Sequence, residues 1–360
     1  MANLILVINP GSTSTKVALF DGEKERCSES LTHSAEDLKG FDSINDQYEF
    51  RKEAVMAFLD KNGVKPEDLD GIACRGAALA ELEPGAYVVD EHFVELAKVA
   101  INPHPANLAL MIGYEMKKQF GTPCYAYDLV CGTGKPEEVF TLSGLKEITR
   151  PFLTHVLNAR AVSFEQAKRD NTSIYENTYI VCHLGGGIST NLIVNGIIKD
   201  ICGDDENGFS PERAGSLPCR KLVRLCFSGK YTEKEVQKLM KGKGGLMSYL
   251  GTSDIRDVEK MINDGDEYAK MVLDAMVLQL AKDIGSMATV VNGKVDKIIL
   301  TGGIAFSKMF TDLVTEKVAF LAPVSVIPGA FEMEALAKGI DRVLKGEEEA
   351  QTYTGEAMHD

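Results

Sequence analysis

No two of the eight cysteines stand at C-x-x-C spacing, and no histidine cluster accompanies them. That excludes the common structural zinc sites and a disulfide framework. The thiols at 27, 74, 124, 131, 182, 202, 219 and 226 are scattered. Cys74, Cys124 and Cys182 fall in apolar runs, where a thiol behaves as a small core residue. An excess of positive charge is also missing, since 39 Lys and Arg against 53 Asp and Glu leave −14. No basic patch for nucleic acid or a membrane surface is expected, and an anionic ligand must be drawn in by local Arg, Lys or metal. No basic leader and no long apolar segment precede the first strand, so the expected setting is the cytoplasm, without a membrane partner.

Two familiar glycine signatures are absent too. Gly132-Thr-Gly-Lys135 imitates a Walker A loop, but Leu129 stands where its first Gly belongs and Pro136 replaces the metal-binding Ser or Thr. After Gly185 and Gly187, Thr190 takes the place of the third Gly of a Rossmann turn.

The chain is instead organised around residues 4–20. Leu4 to Ile8 is a continuous apolar run, as a buried strand requires. Asn9-Pro10-Gly11 breaks it, Ser12 to Lys16 is a hydroxyl-rich turn with one Lys, and Val17 to Phe20 resumes as a strand. Such a turn suits a phosphate, with a plain polar hairpin as the alternative. A second copy favours the phosphate: Tyr179 to His183, then Leu184-Gly185-Gly186-Gly187, then Ile188 to Val194. In each copy a hairpin signal, Asp21-Gly22 or Asn195-Gly196, leads to a third strand. The expectation is a duplicated α/β protein with a phosphate turn in each half and a nucleotide in a cleft between them.

Length supports two domains. The polar connector Asp170 to Asn177 sets the boundary: 1–172 as an N-terminal acyl/phosphate domain and 173–330 as a nucleotide domain. Residues 331–360 form a C-terminal helix able to pack back on the first domain, with a frayed acidic tail. Leu69 to Cys74 is a strand delivering Arg75 at its carboxyl end, where ligands of open α/β sheets collect. A solvated loop Arg is the alternative. Thr122 to Tyr127 likewise delivers Asp128. His104, in Asn102-Pro-His-Pro, reads as part of a helix start. Glu147 to Arg169 reads as one helix broken near Pro151, carrying His155 and Asn158. Gly203 to Gly215 is too long and charged to be packing, and it holds Arg213. Lys297 to Leu300 runs into Thr301-Gly302-Gly303 and a helix, which lets backbone lie against a nucleoside or phosphate. Glu332 and Glu334 open the last helix, where acids also satisfy the helix dipole.

Asn9-Pro-Gly-Ser-Thr-Ser-Thr-Lys16, Cys182-His-Leu-Gly-Gly-Gly-Ile-Ser189, Phe209-Ser-Pro-Glu-Arg-Ala-Gly215 and Leu300-Thr-Gly-Gly-Ile-Ala305 together resemble the acetate/butyrate kinase family, most of all its butyrate kinases. The resemblance runs from residue 3 to about 345. It implies duplicated ribonuclease H-like domains of the actin, Hsp70 and sugar kinase type. It also implies reversible ATP-dependent phosphorylation of a short-chain carboxylate, with Mg²⁺, by a homodimer or larger homo-oligomer. Carried over position by position, Asn9, Ser12, Ser14 and Lys16 look like the first phosphate element, and His183 with Gly185, Gly186 and Gly187 the second. Arg75 and Arg213 look like a guanidinium pair, Asp128 and Glu332 like the Mg²⁺-side acids, and His155 like a transition-state donor. Gly302, Gly303 and Ile304 look like the adenosine motif. The small Gly76-Ala77-Ala78 suggests room for a chain longer than acetate. A kinase of a sugar hydroxyl and an actin- or Hsp70-like nucleotide switch are the competing readings of the same fold.

Overall fold

The apolar runs form strands, and most of them stop at a glycine or asparagine, as at Gly11, Gly22, Gly185, Asn195, Gly203, Gly303 and Gly329. A computed structural model describes residues 2–77, 79–80, 82–100, 103–203 and 205–357. Ala78 and Asn102 lie outside them. The chain divides into two compact units, Met1–Lys135 with Phe331–Asp360, and Pro136–Ala330. The boundary expected at 172/173 therefore falls at 135/136, because the helix before it packs on strands of the second unit.

The first unit contains β1 (Leu4–Pro10), β2 (Ser14–Asp21), β3 (Lys24–Thr32), β4 (Gly71–Cys74), β5 (Ala86–Val88) and β6 (Cys124–Tyr127). Their order is β3-β2-β1-β4-β6-β5. β1 and β2 pair antiparallel with Asn9 opposite Lys16, and β4 runs parallel to β1. Ile5 to Ile8 are fully buried, each such side chain contributing about 1.5–3 kcal/mol to the fold. Helix α1 (Tyr48–Lys61) lies against β2 and against α2 (Asn107–Phe120).

The second unit contains β7 (Thr178–Leu184), β8 (Ile188–Val194), β9 (Ile197–Cys202), β10 (Lys297–Gly302) and β11 (Val324–Pro328), in the order β11-β10-β7-β8-β9. With the edge strand β5 set aside, the two sheets have one topology: three antiparallel strands from successive hairpins, then two parallel strands beside the first. Helix α3 (Val156–Arg169) packs on β7 and β10, and the 24-residue α4 (Glu267–Val290) runs beneath β7, β8 and β9. Helix α5 (Lys308–Val318) packs on α4.

Two expected features change. The helix expected over 147–169 begins at Val156, since Pro151 lacks an N–H and the Arg150 guanidinium is drawn to Glu206, Asp200 and two carbonyls. The tail after α6 (Glu332–Lys345), expected to be frayed, is held over its described residues 346–357. Gln351 exchanges backbone hydrogen bonds with Ala86 and Val88 of β5, and the His92 ring bonds the Gly355 carbonyl.

Candidate functional site

In the first unit, β1, β4 and α6 bring three of the expected residues together. Asn9 stands next to last on β1 and is buried. Its Nδ2 donates to Glu332 Oε2 at 2.9 Å, while Arg75, just beyond β4, reaches Glu332 Oε1 at 2.6 Å. Glu332 thus has a partner on each oxygen. Burial alone would push its carboxyl up; the Arg75 charge and hydrogen bond, with Asn9 and Lys16, reverse this and hold it below the usual carboxylate range. Of the two acids opening α6, this is the one tied to Arg75 and Asn9.

The turn from Gly11 to Ser14 is closed by the Gly11 N–H on the Ser14 carbonyl at 2.7 Å. Ser12 and Lys16 are exposed, and Ser14 is half-buried. Behind the turn lies a residue that sequence reasoning missed. Arg51 of α1 is 0% exposed and donates to the carbonyls of Gly11, Ser12 and Ser14 and to Thr15 Oγ1. Its signal was present: Arg51 shares the helix face of Val55, Phe58 and Leu59.

Asp128 is placed differently from a freely presented ligand. It is buried in the left-handed region at φ 41°, and its Oδ1 accepts from the Gly85 N–H at 2.8 Å while its own N–H donates to the Gly85 carbonyl. Among the described residues no group of three or more His, Cys, Asp or Glu forms a metal cage. Mg²⁺ does not need one, since it keeps several waters and takes one or two carboxylates beside substrate phosphates. The ionised Glu332 fits that requirement. Gly76 does not open a pocket: a Cβ there would lie 2.7 Å from Leu129 Cδ2.

In the second unit, His183 is the position on β7 that matches Asn9 on β1. Its Nδ1 is 2.7 Å from Asn158 Oδ1 on α3, and its ring stacks on His155 with centroids 4.2 Å apart. His155 immediately precedes α3, and its Nδ1 lies 2.9 Å from Ser189 Oγ, directly across from His183 on β8. The Gly185 to Gly187 turn is closed by Gly185 N–H on the Gly187 carbonyl. The Gly186 carbonyl accepts from Glu212 N–H and Ser210 Oγ, which places the loop bearing Arg213 against the turn. Arg213 is mostly buried, with Nη1 3.5 Å from Glu212 Oε2.

The three residues of the expected adenosine motif differ in kind. Gly302 has φ 91°, and a Cβ on it would lie 2.4 Å from the Leu184 carbonyl oxygen. Its glycine is demanded by packing. Gly303 faces open space. Ile304 is 6% exposed and belongs to the hydrophobic core, so only its backbone is left for a ligand.

A sequence profile of the Acetokinase family matches residues 148–325. Butyrate kinase 2 of Clostridium acetobutylicum is 44% identical over 352 residues, covering 97% of this chain and 99% of that one. The probable butyrate kinase 2 of Caldanaerobacter subterraneus subsp. tengcongensis is likewise 44% identical, over 97% of this chain and 99% of its own. The chain belongs to the acetokinase family. Its fold agrees: the acetate kinase of Porphyromonas gingivalis superposes with TM-score 0.78 at 17% identity, over 96% of this chain and 100% of that one. This acetokinase-family chain is a carboxylate kinase, a transferase using ATP and ADP. No helix among the described residues is long and apolar enough to cross a membrane.

Proposed function

We propose that the chain phosphorylates butyrate or a branched short-chain acid with ATP, reversibly, to the acyl phosphate. The observation that carries the substrate is the 44% identity, over 97% of the chain, to a butyrate kinase. The acid is ionised at neutral pH, as a side-chain carboxylate of pKa about 4.3 is, so no general base is needed. The difficulty is bringing two anions within about 3–3.5 Å for in-line attack on the γ-phosphorus. Arg75 and Arg213 are the forked donors for carboxylate and phosphoryl oxygens. Glu332 holds the Arg75 guanidinium in orientation, and Asn9, Ser12, Ser14 and Lys16 take phosphate oxygens. His183 donates to the transferring group, positioned by Asn158, and His155 donates beside it. The Gly185 to Gly187 turn offers backbone N–H groups, and Gly303 leaves open space for the nucleoside. Mg²⁺, when bound, would neutralise phosphate charge; Glu332 and Asp128 are the acids of this chain that would hold it. A cytoplasmic homodimer or larger homo-oligomer completes the reading.

The test is acyl phosphate formation from ATP and Mg²⁺, trapped with hydroxylamine, across acetate, propionate, butyrate, isobutyrate and valerate. A kcat/KM for butyrate or isobutyrate at least about tenfold above acetate supports the reading, a single extra methylene being worth that much in an apolar pocket. A preference for acetate sinks the chain-length reading. ATP turnover indifferent to every acid sinks the proposal as a whole.

A further inference from the structure

Arg51 is the feature that the mechanism leaves unused. A guanidinium removed from water is costly unless paired, and buried charges are ordinarily matched by a carboxylate. Arg51 has none: among the described residues its donors go to three turn carbonyls, Thr15 Oγ1 and Gln47 Oε1. Burial pushes its pKa down, with no acidic neighbour to oppose the shift. The neighbouring polar group is arranged to stay neutral. Arg51 can only donate, so Thr15 Oγ1 accepts from it, and the same oxygen lies 2.8 Å from His33 Nε2. His33 is buried, and burial and the Arg51 charge both push its pKa down.

The direction of the turn follows from these bonds. In a trans peptide the N–H points opposite to the carbonyl it shares a plane with. With the Gly11 and Ser12 carbonyls drawn inward to Arg51, the N–H groups of Ser12 and Thr13 face outward, and neither donates to a backbone carbonyl among the described residues. Two outward amides on an exposed turn form an anion-binding concavity. A neutral amide side chain, with two N–H groups, could serve at most two of the three carbonyls that Arg51 holds. What only a cation adds is a positive potential beneath the amides.

We propose that Arg51 is the buried cation of the first phosphate turn, its counter-ion being the nucleotide phosphate that the turn binds. It is a positioning residue, touching the turn and not the ligand. The inference rests on the proposed role of the turn in phosphate binding.

Calorimetry of ATP and of adenosine, with no acid present, tests it. Arg51→Gln should weaken ATP binding by roughly thirtyfold, as expected for a charge pair across a turn at intermediate dielectric. Adenosine should bind within about twofold of the parent, and Arg51→Lys should recover most of the ATP affinity because it retains the charge. A structural role predicts instead equal losses for both ligands, or none in the folded fraction, and either overturns the proposal. Should Arg51→Gln not fold, the ¹⁵N side-chain resonances of Arg51 in the parent protein decide. ATP but not adenosine should shift them, and an unmoved Arg51 on ATP saturation refutes the idea. A parent that binds ATP yet phosphorylates no acid would overturn the carboxylate reading and leave this test standing.

Discussion

Adjacent glycines in one motif do different work, and their substitutions should separate. At Gly302 an added Cβ meets the Leu184 carbonyl at 2.4 Å with φ at 91°, so Gly302→Ala should destabilise by about 3 kcal/mol and lower the melting temperature by several degrees. Gly303→Ala meets nothing within 4 Å. It should melt with the parent yet raise the KM for ATP several-fold, because the methyl would enter the space proposed above for the nucleoside. Equal melting losses for both would refute the assignment. At Glu332 the pair with Arg75 is only partly exposed, and replacing one partner leaves the other charge uncompensated. Glu332→Gln should lower kcat/KM at least roughly tenfold and cost about 1–2 kcal/mol after discounting for solvent. Its carboxyl is held below the usual range, so its stabilising share is present above about pH 4.5 and fades as the pH falls through the lowered folded value. The variant should therefore unfold less steeply with acid than the parent. Sequence could offer Glu332 and Glu334 as equals, because which acid meets Arg75 is decided by the seating of α6 on β1 and β4. Arg51 was legible as a charge on an apolar stripe, but its carbonyl partners lie some forty residues away in the chain, as the 40-residue separation from Gly11 shows.

The loop that carries Arg213 is fastened to α4 at two points. Gly208 N–H donates to Asp283 Oδ2 at 2.7 Å and Phe209 N–H to Gln279 Oε1 at 3.2 Å. Burial pushes the Asp283 carboxyl up to about 6, against opposing pulls from the Gly208 N–H and Lys282. A carboxyl raised in the folded state binds its proton more tightly there than when unfolded. Its penalty is absent at low pH, and grows as the pH rises from the ordinary 3.8 through about 6. Asp283→Asn retains an oxygen for Gly208 and removes the ionisation. The variant should exceed the parent by about 1–2 kcal/mol in denaturant unfolding at neutral pH, with the difference vanishing near pH about 4. A variant weaker than its parent at neutral pH would show that the ionised carboxylate is needed to hold the loop. Helix periodicity exposed α4 as a long core helix, but a tether from its side chains to a distant loop has no local sequence signal. The same limit moved the start of α3, where the carboxylate partners of Arg150 lie far onward in the chain, Glu206 at a separation of 56 residues.

Across the whole chain the duplication was legible because it is written twice in local patterns: apolar run, breaker, strand, hairpin signal, strand. What was not legible is how far the copies agree in detail. In each unit the next-to-last residue of the first strand bonds a first-turn residue of the helix laid on that sheet, Asn9 to Glu332 and His183 to Asn158. In the second unit that helix precedes the sheet in sequence; in the first it comes from the far end of the chain. The first unit therefore lacks one of its layers until residue 345 has been made. Leu336, Ala337 and Ile340 of α6 are fully buried, Asp341 accepts from Asn3 at 2.9 Å, and Leu344 lies against Gly71. Stripping that helix uncovers the apolar faces of β1 and β4, whereas the second unit keeps all its layers within 136–330. A fragment spanning 136–330 should fold cooperatively by itself, with dispersed amide resonances and a single melting transition. The fragment 1–135 should not, and adding a separate 331–360 peptide should restore its order, as mass action requires of a partner that binds the folded form alone. If 1–135 folds unaided to the same stability, α6 is an ornament on a complete domain. If it folds only with the peptide, the C-terminal helix is the closing layer of the first unit, and Glu332 reaches Arg75 as the last step of that closure.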